Sequence, residues 1–159
     1  LVVNKWDLAK GRADTSDYGE YLTKLLPNLD YAPISFTSAI DGHNCDATID
    51  VAWSMFKQSQ TRVSTATLNE ILRGALAANT PSAKRGRRTP KIFYATQVSV
   101  QPPTIVVFVN DARLITQDYE RFLLNRFRER LPFGEIPIRL VFRARSRGRQ
   151  EGEVSEVAS

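Results

Sequence analysis

The sequence predicts a mixed α/β chain in two unequal parts: a β-α-β-α piece of a parallel sheet domain, then an α+β unit of order α-β-β-α-β. Three observations carry this. Short apolar runs alternate with helical stripes over residues 1–60, the pattern of a right-handed parallel unit. Two closely spaced apolar runs and a strictly alternating one follow later, as a small partly antiparallel sheet requires. The charge also changes sign. Residues 1–60 carry 5 basic and 8 acidic side chains and residues 61–159 carry 17 and 9, so the overall +5 is −3 followed by +8.

Taken in order, residues 1–3 end an apolar run that stops at polar residues, as a strand buried on both faces does. Tyr18, Tyr21, Leu22, Leu25 and Leu26 recur at helical spacing until Pro27 ends the helix. Residues 32–36 are short and apolar enough for a second strand. Ile49, Ala52, Trp53 and Phe56 share one face of a second helix. The boundary is placed in the polar stretch 58–64. Beyond it, Thr67 with Glu70 reads as a capping box ahead of the stripe Leu68, Ile71, Leu72, Ala75 and Leu76. Residues 91–100 and 104–110 form the next two strands, joined through Gln101-Pro102-Pro103. Tyr119, Phe122, Leu123 and Phe127 mark the last helix. Ile136, Ile138, Leu140 and Phe142 alternate with Pro137, Arg139, Val141 and Arg143 as a one-sided strand. From 145 to 159 the chain loses apolar content and reads as a disordered tail.

With 159 residues and 42% hydrophobic content the chain can bury one ordinary core or two small ones. No eighteen-residue apolar run and no signal-peptide pattern occurs, so no membrane association is expected. Cys45 is the only cysteine and His43 the only histidine, which leaves no disulfide framework or clustered thiolate site and fits a reducing cytoplasm. Asp41-Gly42-His43 reads as a surface turn. The abrupt apolar start, with the only methionine at position 55, suggests a fragment whose natural beginning lies upstream.

The strongest motif is Asn4-Lys5-Trp6-Asp7 at the carboxyl end of the first strand, where α/β proteins form their ligand crevice. A carboxylate there can accept two hydrogen bonds from the N1–H and exocyclic amine of guanine, and adenine offers no such donor pair. Asp7 thereby selects the base, Lys5 lays its methylene stem along it, and Asn4 ties the loop to a neighbouring phosphate-binding loop. Trp6 contributes backbone and packing. An ordinary polar turn uses the same residue types. A second signal decides between them: Thr37-Ser38-Ala39 follows the second strand, and its small residues let a backbone N–H approach the guanine O6.

The chain resembles the Der (EngA) family of double GTPases. The resemblance runs through Val2-Val3-Asn4-Lys5-Trp6-Asp7-Leu8, Ser38-Ala39, Thr61-Arg62-Val63-Ser64-Thr65, Arg85-Gly86-Arg87-Arg88, Pro103-Thr104-Ile105-Val106-Val107, Tyr119-Glu120-Arg121-Phe122-Leu123-Leu124-Asn125 and Ile136-Pro137-Ile138-Arg139-Leu140. It implies two tandem GTPase domains and a C-terminal KH-like domain acting in assembly of the large ribosomal subunit. Residues 1–60 would then be the C-terminal part of the second P-loop GTPase domain, and residues 61–144 the KH-like domain. The implied ligands are GTP or GDP, with Mg²⁺ only in the full-length protein. The implied partners are ribosomal RNA, the large subunit and the upstream GTPase domains.

Two absences qualify this. No Gly-Lys pair and no Asp-x-x-Gly occurs, so the phosphate-binding loop and the magnesium and water ligands of a GTPase are missing from the chain. No catalytic residue is therefore assigned, and the chain alone should not hydrolyse GTP. Ile40 also stands where many GTPases carry lysine after Ser-Ala.

Lys84, Arg85, Arg87, Arg88 and Lys91 fall within eight residues without an acid, and Arg139, Arg143, Arg145, Arg147 and Arg149 line the last strand and its tail. Such clusters neutralise phosphates. No two glycines stand three apart, so the Gly-x-x-Gly clamp of a true KH domain is absent. Phe93, Tyr94 and Phe108 read as core residues rather than base-stacking ones. Two alternatives stand beside the GTPase reading: a self-sufficient RNA-binding module, and an element that docks between domains.

Overall fold

The computed structural model describes residues 1–9, 11–81 and 88–145. Its elements are β1 (Val2–Val3), α1 (Thr15–Leu25), β2 (Ser35–Phe36), α2 (Cys45–Ser59), α3 (Thr65–Ala78), β3 (Ile92–Ser99), β4 (Thr104–Val109), α4 (Gln117–Arg130) and β5 (Arg139–Ala144). Lys84, Arg85, Arg87, Arg147, Arg149 and all of the expected tail except Arg145 lie outside the described residues.

β1 and β2 pair in parallel, Val2 opposite Ser35 and Val3 opposite Phe36. The second strand is shorter than the apolar run 32–36 suggested. Ala32 N–H is spent on the carbonyl of Leu29, and Pro33 has no N–H, so pairing begins only at Ser35. The expected burial of residues 1–3 is not found either. With a single strand neighbour, Leu1 and Val2 remain 37% and 60% exposed. Asp14 caps α1 by accepting from Ser16 N–H at 2.7 Å, yet neither α1 nor α2 contains a buried residue.

α3 starts one turn earlier than the Thr67/Glu70 capping box implied. Ser64, in extended backbone, is the cap, and its Oγ accepts from Thr67 N–H at 3.1 Å. Thr67 is thus already helical, and its own hydroxyl meets that of Ser64 at 2.8 Å.

The second sheet has the order β3-β4-β5, antiparallel at the first junction and parallel at the second. The connection from β3 to β4 contains a cis Gln101–Pro102 bond. β5 starts later than the alternating pattern from Ile136 indicated. Ile136 and Ile138 are buried as expected, but Pro137 cannot donate to a ladder, and pairing starts where Arg139 N–H reaches the carbonyl of Pro103. Asn69 blunts the free edge of β3 from α3. Its Nδ2 donates to Ala95 O at 3.0 Å and its Oδ1 accepts from Ala95 N–H at 2.9 Å, so the side chain pairs the edge as a strand would.

Leu68, Leu72, Leu123 and Phe127 from α3 and α4 pack on Ala95, Ile105, Val107 and Val109 of the sheet. Every buried hydrophobic side chain among the described residues lies between Leu68 and Ile138. Gln97, also buried, holds the connection between α2 and α3 against this core by donating to Thr61 O and accepting from Val63 N–H. Among the described residues no helix is long and apolar enough to cross a membrane.

Candidate functional site

The parallel pairing of β1 and β2 puts their carboxyl ends side by side, and the two motif loops leave from those ends. Trp6 N–H donates to Thr37 O at 3.0 Å and Thr37 N–H donates to Val3 O at 2.9 Å, extending the backbone contact past both strands. Lys5 turns the chain at φ 61°, in the left-handed region, with its N–H held by Asn4 Oδ1 at 2.8 Å. Asp7 then lies in the 3-10 turn Trp6–Ala9.

Side chains lock the loops together. Asn4 Oδ1 also accepts from Ala39 N–H at 3.1 Å and from Thr37 Oγ1 at 3.4 Å. Ser38 Oγ, in a residue 2% exposed, donates to Asp7 Oδ1 at 2.9 Å. Asn4 therefore ties its loop to the second motif loop of the same crevice. Of the backbone N–H groups in this small-residue turn, that of Ala39 is held by Asn4 and that of Ser38 by the carbonyl of His43. Trp6 packs its ring against Phe36 and Tyr18, with centroids at 4.4 and 5.6 Å, in keeping with a packing role. Lys5 is exposed. His43 is exposed as well, and its carbonyl accepts from Ser38 N–H.

Chemically, this arrangement holds one carboxylate, Asp7, beside a turn of small residues. Ser38 is its one hydrogen-bond donor among the described residues, so the carboxylate keeps acceptor capacity for a ligand that presents N–H groups.

Of the basic cluster, Arg88 and Lys91 are described and both are exposed. They lie just ahead of β3. Asn110 pins this entry by accepting from Lys91 N–H at 2.8 Å and donating to Thr89 O at 3.0 Å. The expectation that the nearby aromatic residues are core is corrected. Phe93 and Tyr94 are 44% and 37% exposed and Phe108 is half-buried. Ala95 and Val107 belong to the helix-packed core, so Tyr94 and Phe108, of the opposite parity, stand on the other face, where Val106 and Thr104 further along β4 are nevertheless buried. Phe93 sits at the register shift between Ile92 and Tyr94.

Sequence reasoning missed the contacts between the two parts of the chain. Arg128 of α4 sets its guanidinium carbon 3.9 Å from the centroid of the Tyr31 ring. Its Nη1 donates to the carbonyls of Phe133, Gly134 and Ile136, and burial lowers its pKa from the ordinary arginine value. Gln58 Nε2 donates to Glu135 Oε2 at 2.6 Å. Neither pair is signalled by periodicity, because each is set by tertiary approach alone.

Comparison with known proteins bears on both parts. A family model described as "KH-domain-like of EngA bacterial GTPase enzymes, C-terminal" matches residues 62–143. The protein "GTPase Der" of Rhodopirellula baltica is 46% identical over 155 residues, covering 98% of this chain and 34% of that protein. "GTPase Der" of Gloeobacter violaceus is 40% identical over 159 residues, covering 99% and 34%. "GTPase Der" of Leuconostoc mesenteroides is 41% identical over 146 residues, covering 91% and 33%. The chain spans about a third of the length of the curated relatives it matches.

Proposed function

The chain belongs to the EngA (Der) family of bacterial GTPases, and we propose on that premise that it joins the guanine-recognising end of a P-loop GTPase domain to an RNA-binding KH-like domain. In this reading residues 1–60 complete a nucleotide site whose phosphate and magnesium ligands lie upstream. Residues 61–144 contact ribosomal RNA during large-subunit assembly in the cytoplasm.

The observation that supports the reading best is the pair of cross-links between the two loops, Asn4 to Ala39 and Ser38 to Asp7. They hold Asp7 at the carboxyl ends of two adjacent parallel strands, where a base can be read. In the full-length protein Asp7 would accept from guanine N1–H and the exocyclic amine, while Lys5 lies along the base. Ser38 orients the Asp7 carboxylate. Asn4 holds Ala39 and its small neighbours close to the base edge. Mg²⁺ and the phosphates would be held by upstream residues, so this chain contributes base selection and no chemistry of its own.

Exchanging Asp7→Asn in the full-length protein tests this. An amide presents a donor to the guanine amine, and loss of a bidentate charge-assisted pair costs about 2–4 kcal/mol. GTP should therefore bind roughly thirtyfold or more weakly. Xanthosine triphosphate, which carries a carbonyl in place of the amine, should bind the variant better than GTP does. A competition titration with unchanged GTP affinity and selectivity would remove Asp7 from the site.

A second reading has its own support. Arg128 against Tyr31 and Gln58 against Glu135 join the two parts of the chain, which favours a role for residues 61–144 in docking between domains. The two readings make opposite predictions for the basic cluster.

A further inference from the structure

We propose that the sheet face turned away from α3 and α4 is a stacking platform for unpaired bases of single-stranded RNA, centred on Tyr94 and Phe108. The proposal rests on the reading of residues 61–144 as an RNA-binding unit and assigns that unit a grip the basic residues do not supply.

The register places three residues in one row across the sheet. Tyr94 stands opposite Phe108 on β4, and Phe108 stands opposite Arg143 on β5. The Tyr94 and Phe108 rings are stacked, with centroids 4.5 Å apart and planes 19° from parallel. A shift in register between Ile92 and Tyr94 marks a bulge at Phe93. Its 44%-exposed ring has the Arg145 guanidinium carbon 5.7 Å from its centroid. One end of the face thus carries three partly exposed aromatic rings and two exposed arginines.

This is an odd surface for a sheet that only faces water. Exposed strand positions ordinarily carry polar residues, and large aromatic side chains left partly open mark binding surfaces. Aromatic faces offer the sequence-tolerant stacking that any base accepts, and arginine planes extend it. Phosphate contacts lie next to it. The basic segment containing Arg88 and Lys91 enters β3 at this same end, held there by Asn110. Arg139 lies on the same face, opposite Thr104 at its other end. Rings for bases beside cations for phosphates match a single strand, whose bases are free to splay. An acidic protein surface would use the cations and leave the rings without partners.

The test uses the whole chain and three probes: a mixed-sequence single-stranded RNA, an abasic strand of equal length and an RNA duplex. Tyr94→Leu should weaken binding of the single strand about fivefold or more, the low end for loss of one stacked base. It should leave the abasic strand, the duplex and the salt dependence of binding unchanged, because no phosphate contact is lost. Tyr94→Phe keeps a ring and should bind as the parent does. If Tyr94→Leu does not fold, Phe93→Leu at the exposed bulge takes its place with the same expectation. A parent chain that binds no RNA sinks the RNA reading and this one with it. A parent that binds, with leucine variants that lose nothing on the single strand, overturns the platform alone. If those variants instead lose affinity for the upstream GTPase domains, the face is a docking surface.

Discussion

Arg128 lies over Tyr31, with its guanidinium carbon 3.9 Å from the ring centroid, and so joins α4 to the segment that feeds β2. The same Nη1 closes the turn after α4 through three carbonyls. Arg128→Met keeps much of the aliphatic stem but removes both functions. With a cation–π contact of about 0.5–2 kcal/mol and roughly 1 kcal/mol for the hydrogen bonds, the loss should be about 1.5–3 kcal/mol. Arg128→Lys should recover only part, because an ammonium cannot combine the planar stack with the same geometry. An unchanged urea midpoint in the methionine variant would show that the contact does not stabilise the fold.

Amide exchange should divide the chain near residue 60. α1 and α2 contain no buried residue, whereas the core lies wholly between Leu68 and Ile138 among the described residues. Residues 1–60 should therefore open locally at much lower free energy than β3, β4, α3 and α4. Equal protection across both parts would mean that the Arg128 and Gln58 contacts bind them into one cooperative unit.

Asn4 separates loop geometry from base choice. Its Oδ1 gathers donors from Lys5, Thr37 and Ala39. Asn4→Ala in the full-length protein should release the Thr37-Ser38-Ala39 loop. Loss of about 1–2 kcal/mol of hydrogen bonding corresponds to GDP binding weaker by roughly tenfold. The preference for guanine over xanthine should stay, since Asp7 is untouched. A change of preference in a displacement titration would mean that Asn4 touches the base directly.

How far the sequence reached depends on range. The helices of Tyr18 and Tyr119 and the strands of Val107 and Phe142 were legible because their apolar spacing is local. The α3 cap was misplaced because Thr67 and Glu70 matched a local pattern that Ser64 satisfies one turn earlier. Asn4 and Asp7 could be singled out by residue type and position after a strand. Their bonds to Ala39 and Ser38 span 35 and 31 residues and depend on the pairing of β1 with β2. Tyr94 was read as core because alternation tells which residues share a face but not which face the helices cover.

The basic cluster offers the sharpest division between RNA and docking. Arg88 and Lys91 are exposed beside β3, and Lys84, Arg85 and Arg87 precede them in the sequence. If about four to six phosphates are neutralised, the log–log salt slope on single-stranded RNA should be roughly −3 to −4. Replacing Arg85, Arg87 and Arg88 with alanine should flatten it by about two units, since each contact contributes roughly 0.7. Affinity should fall alike on every sequence, because phosphates carry no sequence information. Stacking at Tyr94 follows the opposite pattern, moving affinity for bases without moving the slope. A triple variant that keeps both affinity and slope, yet changes association with the upstream GTPase domains, would assign these arginines to docking, because charges that meet a protein surface release no condensed counterions from RNA.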